Sequence, residues 1–304
     1  MTSTDFQNDA FDDTEYYATK FRLGDKPSST GKGKVSNKQR KADNAVKATL
    51  TETAGLEAGF KTTYKPARFE EGWLLSSLET FYDRLLISDV LMRVKGGKEA
   101  NVYLCQADPA SGFDLVAAKV YRPRGMRNLR NDWLYREGRE IAISASGVNR
   151  RRADRVLRAL KNKSEFGKEI AHSSWINHEN GALDTLNRLG GAVPKPIATG
   201  ENALLMGYLG DRLRAAPPLH EVTLDSQEVA PLFFEVMRNI ELMLQNGMIH
   251  GDLSAYNILY WEGKITLIDF PQVTMSASNP SAYMILTRDV QRVCEYFATQ
   301  GLVR

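Results

Sequence analysis

Cysteine is scarce. The two that occur among 304 residues, Cys105 and Cys294, lie far apart and in apolar settings, which excludes a disulfide framework or a thiolate zinc site and marks both as small core residues. Long apolar runs are missing as well, and no stretch approaches the roughly 18 residues that a bilayer span needs. The opening MTSTDFQNDAFDDTEYY has neither a basic start nor an apolar centre, so no secretory signal is expected and the chain reads as cytoplasmic, with no membrane partner. No internal repeat is present. What remains is an ordinary globular mixture, 42% hydrophobic and 25% charged, in a length that suits one domain of two lobes or two small domains.

The net charge of +3 is mild but unevenly spread. Residues 1–16 are acidic, whereas GKGKVSNKQRKADNAVK (Gly31–Lys47) is basic, polar and aperiodic, the composition of a disordered arm. A second basic stretch runs from Arg122 to Lys168 and contains GVNRRRADRVLRALKNK. One such run is as readily a solvated face as a binding surface. Two on one chain favour a phosphate-rich partner such as RNA.

Periodicity orders the rest. Glu70–Leu91 has apolar residues at helical spacing through Leu86 and is expected to be an amphipathic helix. MRVKGGKEANVYLCQA and FDLVAAKVYRP follow as strands of a hairpin about the turn formers Asp108–Gly112. A helix is expected over Ser173–Leu189, stopped by Gly190 and Gly191, and VPKPIATGENALLMGYL supplies two short strands. Ser226–Asn246 gives the clearest helix, with Val229, Phe233, Val236, Ile240, Met243 and Leu244 on one face and Gly247 as its stop. A hairpin of Asn257–Tyr260 and Lys264–Asp269 turns at Glu262 and Gly263, and a last helix runs near Thr287–Thr299. This order implies a β-rich first lobe with one long helix, a helical second lobe, and a ligand cleft between them.

The stretch MIHGDLSAYNILYWEGKITLIDF (Met248–Phe270) places polar groups among apolar strand residues. Asp252 and Asn257 stand five apart before one strand, and Asp269 ends its partner, so the hairpin brings the three to one edge. Two carboxylates and a carboxamide are hard oxygen donors of the kind Mg²⁺ shares with substrate phosphates. One carboxylate is then left to take a proton from a hydroxyl nucleophile, the arrangement that phosphoryl transfer requires. The spacing His-x-Asp-x-x-x-x-Asn, followed by an apolar strand and another Asp, is that of a kinase catalytic loop.

Upstream, VKGGKEANVY (Val94–Tyr103) is a strand, glycine turn and strand whose N–H groups can cover phosphates. VAAKVY sets Lys119 in a β-branched strand, as a phosphate ligand awaiting a helix carboxylate; Glu179 is the best partner, with Glu169 and Asp184 as competitors. ALLMGYL (Ala203–Leu209) reads equally as a core strand or as a hinge strand beside a nucleotide.

At GKEANVY (Gly97–Tyr103), HGDLSAYNIL (His250–Leu259) and LIDFPQ (Leu267–Gln272) the chain resembles the RIO family of atypical serine/threonine protein kinases, as a divergent or bacterial-type member. Pro271 stands where ordinary kinases have the glycine of Asp-Phe-Gly, and Ser254 where they carry a lysine two residues past the catalytic aspartate; both are similar to RIO proteins. The resemblance implies an α+β, two-lobed protein-kinase-like fold with a truncated C-terminal lobe. It divides the chain into an arm (1–66), a first lobe with leading helix and basic insert (67–205) and a short second lobe (206–304). It implies ATP and Mg²⁺, with Mn²⁺ as an alternative. Asp252 would deprotonate the acceptor hydroxyl, and Asn257 and Asp269 would hold metal, Asp269 also being able to accept phosphate itself. Gly97 and Lys98 would cover phosphates, and Lys119, held by Glu179, would bind them. Val102 and Leu259 would sandwich adenine, backed by Met206, with Tyr208 and Leu209 at the hinge. A ribosomal or other RNA-containing partner is implied too. Two readings compete: a nucleotide-gated RNA- or ribosome-binding module with slow turnover, and a small-molecule phosphotransferase, which needs a helical insertion between Leu209 and Glu228.

Overall fold

The computed structural model describes residues 60, 62–97, 99–122 and 165–302. The basic arm, nearly all of the basic insert and Lys98 therefore lie outside the described residues.

Helix α1 (Arg68–Asp83) leads into an antiparallel sheet of β1 (Ile87–Gly96), β2 (Ala100–Ala107), β3 (Leu115–Tyr121), β4 (Pro196–Thr199) and β5 (Ala203–Gly207), in the order β1-β2-β3-β5-β4. The helix expected to reach Leu91 stops at Asp83. Leu85 takes a left-handed φ of 54° that breaks the helix, and the chain continues as a strand in which Ile87 and Val90, three residues apart across a shift in the pairing register, both enter the core. The expected hairpin is accordingly three strands, because the glycine pair at Gly96 and Gly97 already turns the chain once before Asp108–Gly112 turns it again.

Strand alternation assigns the two faces. On β3, Val116, Ala118 and Val120 pack with Leu74, Leu78 and Phe81 of α1, while Ala117, Lys119 and Tyr121 point the other way. β5 divides likewise, with Ala203 and Leu205 towards α1, and Leu204 and Met206 opposite. Helix α2 (Glu165–Arg188), longer than expected at its start, carries Ile176, Glu179, Leu183 and Leu186 at helical spacing on its buried side.

A second core gathers around α3 (Ser226–Gln245), the two-residue strands β6 (Met248–Ile249) and β9 (Thr274–Met275), the hairpin β7 (Ile258–Trp261) and β8 (Lys264–Leu267), and α4 (Ala282–Thr299). The α3 face is as expected except that Leu244 turns outward. Helix α4 begins five residues before Thr287. It buries Ile285, Asp289, Val293 and Phe297 every fourth residue, which leaves Cys294 off that stripe and exposed, against its expected place in the core. Between β5 and α3 there is only a turn of 3₁₀ helix (Leu219–Glu221), with no helical insertion. No described helix is long and apolar enough to cross a membrane.

Candidate active site

The inward residues of the sheet and the open ends of the β7–β8 hairpin face each other across a cleft of about 670 Å³. Gly97, Val102, Lys119, Glu179, Met206, Tyr208, Leu209, Leu259, Asp252 and Asp269 all line it. Asn257 sits just behind, buried in the turn of Ala255–Asn257, with Nδ2 2.8 Å from the Asp252 carbonyl oxygen and 3.4 Å from Asp252 Oδ2. Sequence reasoning missed Ala117, Leu183, Pro218 and Ile268, which complete the apolar walls.

Lys119 is buried, and its Nζ lies 2.7 Å from Glu179 Oε1 and 2.6 Å from Asp269 Oδ1. Burial would lower the ammonium pKa, but Asp269 and then Glu179 outweigh it and hold the group well above its ordinary value. Burial likewise opposes the charge on Asp269, and Lys119 reverses the balance, so its carboxyl is held below the usual range. Asp184 is elsewhere, paired with Arg188 on the surface, and the Glu169 side chain lies outside the described residues. Glu179 has a second partner that the sequence did not reveal: the Tyr121 hydroxyl donates to its Oε2. An acid on the apolar stripe of α2 thus has both oxygens satisfied, as a buried carboxylate requires.

The glycine turn is fixed from below. Asn101, buried, accepts from the Gly97 N–H at 3.3 Å and from Arg122 Nη2 at 3.1 Å, and donates to the Tyr103 hydroxyl at 3.0 Å and to Glu70 Oε1 at 3.4 Å. Glu70, in the first turn of α1, also accepts from the Tyr103 hydroxyl. The phosphate-loop candidate is therefore tied to the leading helix. A Cβ on Gly97 would meet the Ala100 oxygen at 2.7 Å, which explains the glycine there.

Two contacts shape the loop around Asp252. Gly251 has φ of 89°, and a Cβ there would lie 2.2 Å from the Gln272 oxygen, so the close passage of the two loops demands glycine. His250 is buried, with Nε2 3.1 Å from the Ile268 carbonyl and Nδ1 accepting from the Asp252 N–H at 3.3 Å. These partners define a neutral imidazole with its proton on Nε2. Burial pushes the His250 pKa down, against weaker upward pulls from Asp289, Asp269 and Asp252. An unfolded histidine binds a proton below about pH 6.5 while the folded one resists it. Its contribution is therefore complete above that pH and is lost as pH falls through the depressed folded value. Urea midpoints at pH 7.5 and 5.5 are expected to differ more in the wild type than in His250→Asn. Equal differences would exclude His250 as the titrating group.

Asp269 itself has a left-handed φ of 70°, rare for a residue with a side chain, two residues past the end of β8. Local strain of this kind concentrates at functional sites. The His178 ring holds the following segment through the Val273 carbonyl, 2.9 Å away, so α2 reaches that segment directly and Asp269 itself through the Glu179–Lys119 pair. On the other side, Asp289 Oδ2 accepts from the Gly251 N–H at 2.8 Å, Arg288 donates to the Gly251 carbonyl, and Arg292 Nη1 lies 2.9 Å from Asp252 Oδ1.

No described trio of His, Cys, Asp or Glu forms a metal cluster. Asn257 and Asp269 nevertheless suit Mg²⁺, which takes one or two protein oxygens and completes its shell with water and phosphate.

The RIO domain family matches residues 138–304. The RIO-type serine/threonine-protein kinase Rio1 of Haloferax volcanii is 32% identical over 215 residues, covering 68% of this chain and 63% of that protein. The serine/threonine-protein kinase RIO1 of Chaetomium thermophilum is 31% identical over 233 residues, covering 72% of this chain and 41% of that protein. The matched region thus spans less than two thirds of either relative. In fold, the chain is similar to the Rio2 kinase of Chaetomium thermophilum solved as an ADP/Mg²⁺-phosphoaspartate complex, with a TM-score of 0.52 and 22% identity, over 85% of this chain and 70% of that one.

Proposed function

The chain belongs to the RIO family of serine/threonine protein kinases, and from that premise we propose that it transfers the γ-phosphoryl group of ATP to a hydroxyl, or to water by way of its own Asp269. The observation that carries this reading is the convergence of Lys119, Glu179, Asp252 and Asp269 on one cleft. Val102 from β2 and Leu259 from β7 offer apolar surfaces for adenine from opposite walls, Met206 backs them, and the backbone of Tyr208 and Leu209 edges the pocket. Lys119 Nζ has three protons, and Glu179 and Asp269 use two. An α/β-phosphate would take the third and draw Lys119 from Asp269, leaving that carboxylate, with Asn257, as the oxygen donors that would hold Mg²⁺. Bound there, Mg²⁺ would supply the positive charge that the phosphates require. Asp252 orients the acceptor hydroxyl and receives its proton.

The lobes are proposed as 67–205 and 206–304, with residues 1–66 an arm. The basic stretches support an RNA-containing partner such as the small ribosomal subunit, and the two free thiols accord with a cytoplasmic setting. The missing helical insertion between β5 and α3 weighs against a small-molecule phosphotransferase.

The ATPase branch is favoured by the strained Asp269, whose carboxylate faces the cleft. Attack by its oxygen on the γ-phosphorus breaks the bond to the β–γ bridging oxygen and ADP leaves with the electron pair; water, giving its proton to Asp252, then bonds to the phosphorus and releases the Asp269 carboxylate. Incubation with γ-labelled ATP, separating free phosphate, labelled enzyme and labelled partner, tests the proposal. Label on the enzyme is expected to be lost under mild hydroxylamine. Label that resists and maps to a serine would leave Asp269 as a metal ligand and make hydroxyl autophosphorylation the reaction; no turnover would end the proposal.

A further inference from the structure

The catalytic-loop candidate is poor in cations: no lysine or arginine occurs between Gly251 and Asn257. Basic groups do reach the inner side of the cleft, where Lys119 and Lys95 act on Asp269. The acceptor side is supplied from another element. Helix α4 places Arg288, Asp289 and Arg292 against the loop, the first two holding the Gly251 backbone and the third, one turn on, bonding Asp252 Oδ1 at 2.9 Å.

The Arg292–Asp252 pair is not explained by stability. Its side chains are 41% and 42% exposed, and ion pairs so exposed contribute about 0–1 kcal/mol. The anchoring of the loop is already accomplished by Asp289, which is buried. A guanidinium kept on the one carboxylate that would act as base therefore calls for a chemical reason.

We propose that Arg292 is a catalytic residue, the cation that α4 supplies to the transferred phosphoryl group in place of one missing from the loop at Ser254. The inference rests on phosphoryl transfer at Asp252. Before reaction Arg292 fixes the carboxylate facing the acceptor. As the acceptor oxygen bonds to the γ-phosphorus and the bond to the β–γ bridging oxygen breaks, the acceptor proton passes to Asp252 and the electron pair leaves on ADP. Arg292, held beside the acceptor on Asp252 Oδ1, turns its remaining N–H donors to the equatorial phosphoryl oxygens as negative charge spreads there, and the proton that Asp252 gains in the same transition state loosens its hold on the guanidinium. Planar, permanently charged guanidinium suits those oxygens.

The test compares the full chain, Arg292→Ala, Arg292→Lys and the double variant Arg292→Ala/Ser254→Lys in steady-state ATP turnover, ADP affinity and thermal melting. Arg292→Ala is expected to lower kcat by about 10²–10³-fold, as loss of one preorganised donor does, with ADP affinity and melting temperature unchanged. Arg292→Lys should recover part of the loss, and Ser254→Lys should relieve it within the double variant. Full turnover by Arg292→Ala, a parallel fall in ADP affinity and melting temperature, or a loss that Ser254→Lys leaves untouched would each overturn the inference while phosphoryl transfer stands. A wild-type chain without turnover would overturn both.

Discussion

Asp252→Ala is expected to lower ATP turnover by about 10²–10⁴-fold, the range that a positioned general base contributes, while ADP and ATP affinity hold. The carboxylate lies at the cleft's mouth, half-exposed, with one oxygen on Arg292 and the other towards Asn257. Neither contact reaches the walls that would take adenine, nor Lys119. Its removal leaves Arg292 solvated, which costs little. The loop backbone stays anchored through Gly251 and His250, so the fold should survive as judged by melting. Nucleotide titration beside a turnover assay separates the two effects. Turnover within tenfold of wild type would remove Asp252 from the mechanism, and a matching loss of affinity would make it a nucleotide ligand. Asp252→Asn keeps the size of the side chain but cannot accept the proton as a carboxylate does, so it should be as slow as the alanine variant.

The parts of this site readable in sequence are those governed by local rules. Asp252 and Asn257 are close in sequence, and the Glu262–Gly263 turn, both residues at positive φ, fixes the register that carries the chain on to Asp269. Period-two alternation likewise put Lys119 on a face opposite Val120. The end of α1 was not readable because Leu85 and Leu86 continue the helical stripe in composition, and only the packing of Ile87 and Val90 under the sheet decides for strand. Tyr121, Glu70 and Arg292 were missed for a related reason: each acts on a group at least 31 residues away, so no spacing announces it. Glu179 did leave a signal, an acid on an otherwise apolar helix face. Cys294 shows the converse error, since apolar neighbours in sequence say nothing of which side of α4 a residue occupies.

The other large effect is expected at Lys119, where loss of charge acts on both stability and binding. Lys119→Ala leaves Glu179, 1% exposed, with only the Tyr121 hydroxyl, and leaves Asp269 without its cation. Stranding a buried partner of an ion pair costs on the order of 3–5 kcal/mol, so a pronounced drop in melting temperature should accompany loss of nucleotide affinity and rate. Stability and function can be separated by neutralising the stranded acid. Lys119→Met/Glu179→Gln replaces the pair by an apolar chain and a neutral amide able to bond Tyr121, and should regain most of the stability. It should not regain nucleotide affinity or turnover, because nothing in the double variant supplies positive charge to the phosphates from β3. Recovery of affinity along with stability would mean that Lys119 serves only to satisfy Glu179 and that another cation of the cleft, Lys95 foremost, binds the nucleotide.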